Sequence, residues 1–153
     1  MPTGRKPFIK IVAKTLFMNT KFTNMATWVL RLIAAVIMLQ TLYFKFSGSE
    51  ESIYIFSTLN MEPWGRIGTG MMELIASILI LYPPTTGIGA LLGVGLMSGA
   101  VFFHITKLGL VVKDDGGQLF IYALLVLVSC SILVVLYRKP LIYLVQSTFK
   151  KSK

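Results

Sequence analysis

Four long apolar stretches fill most of this chain, roughly Ala26 to Phe46, Trp64 to Tyr82, Thr86 to Thr106 and Gln118 to Tyr137. Each is close to the 20 or so residues that an α-helix needs to cross a hydrocarbon core about 30 Å thick. The first three carry an ionisable residue, Arg31, Glu73 and His104, and the fourth is nearly charge-free. Ionisable groups in such spans are costly and turn toward a protein interior or a wet cavity. The pattern predicts an all-α fold: a transmembrane four-helix bundle with interfacial amphipathic segments, its polar residues marking the inside.

The charge distribution agrees. The chain has 153 residues, 55% hydrophobic and 14% charged, with a formal net charge of +9. That composition is too apolar for an ordinary soluble domain of this size. The positive charge gathers at the two ends, in Arg5, Lys6, Lys10, Lys14 and Lys21 before the first span and in Arg138, Lys139, Lys150, Lys151 and Lys153 after the last. Such a bias predicts a cell (inner) membrane protein with both termini cytoplasmic, and lipid head groups rather than nucleic acid as its partners. No cleaved signal peptide is expected, because Arg31 interrupts the first apolar run. Three segments follow: a basic amphipathic N-terminal segment over 1–25, a four-span membrane domain over 26–137 and a basic C-terminal tail over 138–153. Within the first, Lys6, Lys10 and Lys14 share one helical face over residues 5 to 19, as an interfacial helix requires. Thr23 or Asn24 would cap the first span, and residues 141 to 149 would form a second interfacial helix.

Between the first two spans, Ser49 with Glu50 and Glu51 behind it predicts a short helix that covers the outer mouth of the bundle. Pro63 and Trp64 open the second span, and Pro83-Pro84 closes it. In the third, Gly89 with Gly93 and Gly95 with Gly99 form two G-x-x-x-G pairs, a helix-packing signal. Asp114-Asp-Gly-Gly117 is a turn before the fourth span.

Two groups are candidate sites. Arg31 lies about 8 Å and Glu73 about 14 Å from the cytoplasmic side on neighbouring spans. They are expected to form an intramembrane ion pair, or a proton or ligand site in which Arg31 tunes Glu73. A second group, Lys45, Glu62, Arg66, His104, Lys107, Asp114 and Gln118, gathers at the outer end as a vestibule, with His104 able to exchange a proton near neutrality. One histidine and one cysteine, Cys130, leave no protein-only metal site, no bis-histidine haem site and no dithiol redox pair. No cofactor is evident in the residues themselves, and no nucleotide, triad or metalloprotease motif is present.

The order of several short motifs resembles the DoxX-like family of small four-span membrane proteins. They are Leu30-Arg-Leu32 opening span one, Lys45 at its exit, Glu62-Pro63, Thr69-Gly-Met-Met-Glu73, Phe102-Phe-His104 and Asp115-Gly-Gly-Gln118. Gln118 stands where an acidic residue is common in that family. The resemblance implies an auxiliary subunit of a membrane redox assembly, quinone- or sulfur-linked, that is not catalytic on its own. A quinone is the cofactor it allows, and membrane oxidoreductase subunits or a second copy are the partners. Two other classes remain open: a small proton-coupled transporter using Glu73, and a ligand-binding or assembly-helper membrane protein.

Overall fold

The computed structural model describes residues 5–138, with side chains from residue 21 onward. Five α-helices order the chain: α1 (Arg5–Ser47), α2 (Glu50–Thr58), α3 (Trp64–Leu81), α4 (Thr86–Phe103) and α5 (Gln118–Leu136). Among the described residues there is no strand. A 3₁₀ turn, Pro83–Thr85, joins α3 to α4, and a wide π-helical turn, His104–Leu108, ends α4. Four segments are long and apolar enough to cross a membrane: Lys21–Ser47, Trp64–Leu81, Pro83–Leu108 and Gln118–Leu136. These are the four predicted spans.

The first helix departs from expectation. It runs unbroken for 43 residues, about 65 Å, so the expected separate helix over 5–19 is its beginning. Thr23 and Asn24 lie inside it and open no new helix. Asn24 instead offers its carbonyl to Thr27 Oγ1 at 2.8 Å. No proline or glycine stands between Lys21 and Ser47 to interrupt the ladder. The expected second interfacial helix over 141–149 lies outside the described residues.

The helices form a square. α1 packs against α3 and α5, and α4 packs against the same two, so the order around the bundle is α1, α3, α4, α5. In lipid there is little hydrophobic force between helices, so close contact of small side chains must hold them. Ala34, Ala76, Ala90 and Val126 are 0–1% exposed at the centre, with Ile80, Cys130 and Leu133 beside them. Most of the larger apolar side chains, among them Val36, Ile78, Leu91, Val128 and Val135, face outward, as a lipid-facing surface requires.

The glycines of α4 divide by position. A Cβ on Gly89 would fall 2.6 Å from the Ile80 backbone nitrogen and 2.7 Å from Leu79 Cβ, and one on Gly93 would fall 2.7 Å from Cys130 Sγ. These two let α4 approach α3 and α5. A Cβ on Gly95 or Gly99 would meet nothing within 4 Å. The second G-x-x-x-G pair therefore packs no helix among the described residues. The pair lies on another face of α4, toward the end of the bundle that carries α2: at about 100° per residue Gly95 falls about 240° around the helix from Gly89, and Gly95 is exposed.

The short helix α2 lies across that end, touching α1, α3 and the π turn. Its start is the one the sequence predicts: Ser49 Oγ accepts the Ser52 N–H at 3.3 Å, and Glu50 and Glu51 occupy the first turn. Phe56 within it and Leu59 at its C-terminus are buried.

Candidate functional site

Under α2 the helices line a partly open cavity of about 410 Å³. Its wall is mostly apolar, with Met38, Phe44, Leu96, Met97 and Phe103 from the bundle and Ile55 and Phe56 from α2. Into this wall are set Thr41, Lys45, Glu73, His104, Gln118 and Tyr122.

Glu73 is the centre of the polar part. It is 5% exposed, on the face of α3 that also carries Gly70 and Ser77. The Lys45 ammonium lies 2.6 Å from its Oε2, and the Thr41 hydroxyl stands 3.1 Å from the same oxygen. Thr41 and Lys45 are one turn apart on α1, so both side chains reach the same point, and Lys45 Nζ also donates to Thr41 Oγ1 at 3.3 Å. A buried carboxylate in lipid needs such a cation.

The expected partner of Glu73, Arg31, is elsewhere. Arg31 is 2% exposed and level with the C-terminus of α3, where Nε donates to the Ile80 carbonyl at 2.8 Å and Nη2 to the Leu81 carbonyl at 2.5 Å. Trp28 covers the guanidinium, its ring centroid 3.9 Å from Cζ. Seven residues of α3, about 10 Å of rise, separate Ile80 from Glu73. That is a longer gap than the sequence depths suggest, and the Arg31–Glu73 pair does not form. The cause is Pro83-Pro84. Proline has no N–H, so the carbonyls of Leu79 and Ile80 lose the donors that a continuing helix would give them. Thr85 Oγ1 donates to Leu79 O at 2.9 Å, and Thr86 Oγ1 and Arg31 Nε share Ile80 O. Arg31 is a C-terminal cap supplied by a neighbouring helix.

Arg66 repeats the device at the other end. It donates from Nη1 to the carbonyl of Lys45, in the last turn of α1. Its Nε and Nη2 grip Glu62, with Nε 2.8 and 3.0 Å from the two oxygens. Glu62 and Arg66 thus form a capping pair beside the cavity rather than part of its lining. The expected vestibule reduces to Lys45, His104 and Gln118, joined by Thr41, Glu73, Asp115 and Tyr122. Lys107 and Asp114 are exposed and take no part in the lining.

His104 is 5% exposed and packs edge-on to Phe120, ring centroids 5.6 Å apart. Its Nδ1 stands 2.9 Å from the Gly109 carbonyl, on the chain that leaves the π turn. Asp115 closes the loop that follows: Oδ1 accepts the Val112 and Gly117 N–H groups at 2.8 and 2.9 Å, and Oδ2 accepts the Leu119 N–H at 3.0 Å. Burial pushes the Asp115 carboxyl up, but these three backbone bonds outweigh it, with the nearby His104 adding to them, and hold the group below its usual range. Sequence reading assigned Asp115 to a turn and missed this role. The signal was available, since an Asp in a turn readily accepts the backbone N–H two residues on, as Asp115 does from Gly117. Thr41 was also missed; its place one turn from Lys45 was the sign.

The arrangement can hold one amphiphilic molecule. Its apolar part would lie among aliphatic and aromatic side chains, and its polar head would face the Lys45–Glu73 pair and His104. Among the described residues no group of three His, Cys, Asp or Glu side chains gathers to bind a metal ion.

Neither the curated proteins nor the solved structures yield a match to the chain. The family model described as DoxX matches residues 26–106, over half of the 153 residues. The match covers α3, α4 and the spanning part of α1, and so includes Lys45, Glu73 and His104; α5 lies beyond it. With its four spans, its α2-covered cavity and this match, the chain is a membrane protein of the DoxX family.

Proposed function

We propose that this DoxX-family protein is an auxiliary subunit of a membrane redox assembly, not catalytic on its own, whose cavity receives a quinone-type amphiphile. It would lie in the cell membrane with both termini in the cytoplasm, next to an oxidoreductase subunit or a second copy of itself. One observation carries this reading: a mostly apolar chamber of about 410 Å³ with an ion-paired carboxylate, Glu73, in its wall. Pockets that take small molecules have this form, a largely apolar cavity with a few fixed polar groups. Lys45 pairs Glu73 in place, which supports a stable recognition group over a carboxylate that must gain and lose a proton in each cycle.

A transporter is the competing reading. Flux needs a path from one side to the other, and the packed centre of Ala34, Ala76, Ile80, Ala90, Val126 and Leu133 supports a chamber closed at the Pro83 end. Mild extraction followed by mass spectrometry tests the proposal. A retained quinone or similar amphiphile, together with a co-purifying oxidoreductase, is expected. Protein recovered alone and bare, or proton-driven flux in vesicles that is lost in Glu73→Gln, would overturn it.

A further inference from the structure

Glu73 and His104 are the two most buried polar side chains of the chamber wall, each 5% exposed. Each lines the chamber and commits one atom to the protein, leaving the other without a partner among the described residues. Glu73 receives both Lys45 and Thr41 on Oε2. Gly109 O can only accept, so the proton between it and His104 belongs to Nδ1, and in the neutral ring Nε2 is an acceptor. No described residue donates to Glu73 Oε1 or to His104 Nε2, and neither atom is sealed off in the protein.

Lys45 keeps one N–H after its bonds to Glu73 and Thr41. Gln118 and Tyr122, 2.5 Å apart, stand on the more exposed side. With the His104 ring neutral, the buried wall thus offers two acceptors, the Lys45 N–H and the Ser52 hydroxyl, which can donate or accept, and only a head that donates meets both acceptors. A ligand head that only accepts would set lone pairs against lone pairs, and an unmet buried polar group is costly. A head that donates would complete both.

We infer that the chamber selects an amphiphile whose head donates hydrogen bonds, and so holds a hydroquinone, or another ring diol, in preference to the corresponding quinone. Its hydroxyls donate to Glu73 Oε1 and His104 Nε2, and its apolar part lies along Gly95, Leu96 and Gly99, where no side chain fills the space. This inference rests on the proposed ligand chamber and adds the redox form that it prefers.

The test measures binding to the full-length protein in detergent by thermal shift and by titration. The probes are a decyl-substituted benzoquinone, its hydroquinone kept reduced, and the dimethyl ether of that hydroquinone. The hydroquinone is expected to bind about tenfold more tightly than either of the others, the effect of about 1.4 kcal/mol. In Glu73→Gln, Lys45 holds the amide oxygen, which turns the amide N–H group toward the chamber. The preference is then expected to move toward the quinone. Gly99→Leu, whose side chain enters open space, is expected to keep the fold and lose all three probes. A quinone bound as tightly as its hydroquinone, or a Glu73→Gln protein with an unchanged preference, overturns this inference and leaves the chamber standing. Failure of every probe to bind, or equal binding in Gly99→Leu, overturns the chamber reading and this inference with it.

Discussion

The two ends of the bundle are built from the same parts and reach opposite results. At the Pro83 end, Gly89 and Gly93 bring α4 against its neighbours until no added carbon fits. At the α2 end, Gly95 and Gly99 repeat the motif one turn and a half further on and touch no helix. Both ends also carry an arginine that caps a neighbour's C-terminus, Arg31 on α3 and Arg66 on α1. Among the described residues Arg31 pairs with no carboxylate and lies buried under Trp28, whereas Arg66 is held by Glu62. The difference teaches that a small-residue motif licenses close packing but does not require it. Where the pair lies on a face of α4 that meets no neighbour, the same motif leaves a wall.

The largest test of this contrast is steric. Gly89→Leu must displace the Leu79–Ile80 backbone, and a loss of at least about 3 kcal/mol is expected, the upper end for overpacking. Gly95→Leu is expected to stay within about 0.5 kcal/mol of the parent. Thermal unfolding in detergent, run side by side, compares them; equal losses would erase the distinction between the ends.

Next come the arginines. Arg31→Met strips two carbonyls of a charged donor, at an expected cost of about 2–4 kcal/mol. Arg31→Lys should recover only part, because an ammonium lacks the planar fork that reaches both carbonyls. Arg66→Met removes one such bond and a partly exposed pair, and about 1–2 kcal/mol is expected. Smaller again, Thr85→Val is expected to cost about 1 kcal/mol by leaving Leu79 O unmet.

The smallest effect depends on pH and belongs to the α2 end. The folded state holds the Asp115 carboxyl below its ordinary value. Its contribution is therefore complete above the ordinary carboxylate range and is lost as the pH falls through the lowered folded value. Melting temperature should decline in that acid window, and Asp115→Asn should flatten the decline. A steeper decline in the variant would show that other carboxylates govern it.

Much of the fold was legible in the sequence because the signals were local. Length and apolarity gave the four spans, Ser49 with its glutamates gave α2, and Pro83-Pro84 gave the end of α3. The site was only partly legible. Lys45, Glu73 and His104 stood out as charges in apolar runs, but their partners depend on how far one helix slides along another. Ile80, whose carbonyl Arg31 caps, lies seven residues of α3 from Glu73, a register that no single span records. The sequence held one unused clue: two prolines orphan two carbonyls, and a long side chain with several donors near the same membrane depth is the natural cap. The fate of Gly95 and Gly99 was legible only in part: six residues, about 240° of helix, separate Gly89 from Gly95, so the two pairs cannot share a face, but which face meets a neighbour depends on the other helices.

Native mass spectrometry of the gently extracted protein, with wild type beside Gly99→Leu, tests the central claim that the α2 end is a chamber and the Pro83 end a seal. A wild-type protein carrying a small amphiphile, and an equally folded variant without it, is the expected result. Two bare proteins, or two that retain the same molecule, would contradict it.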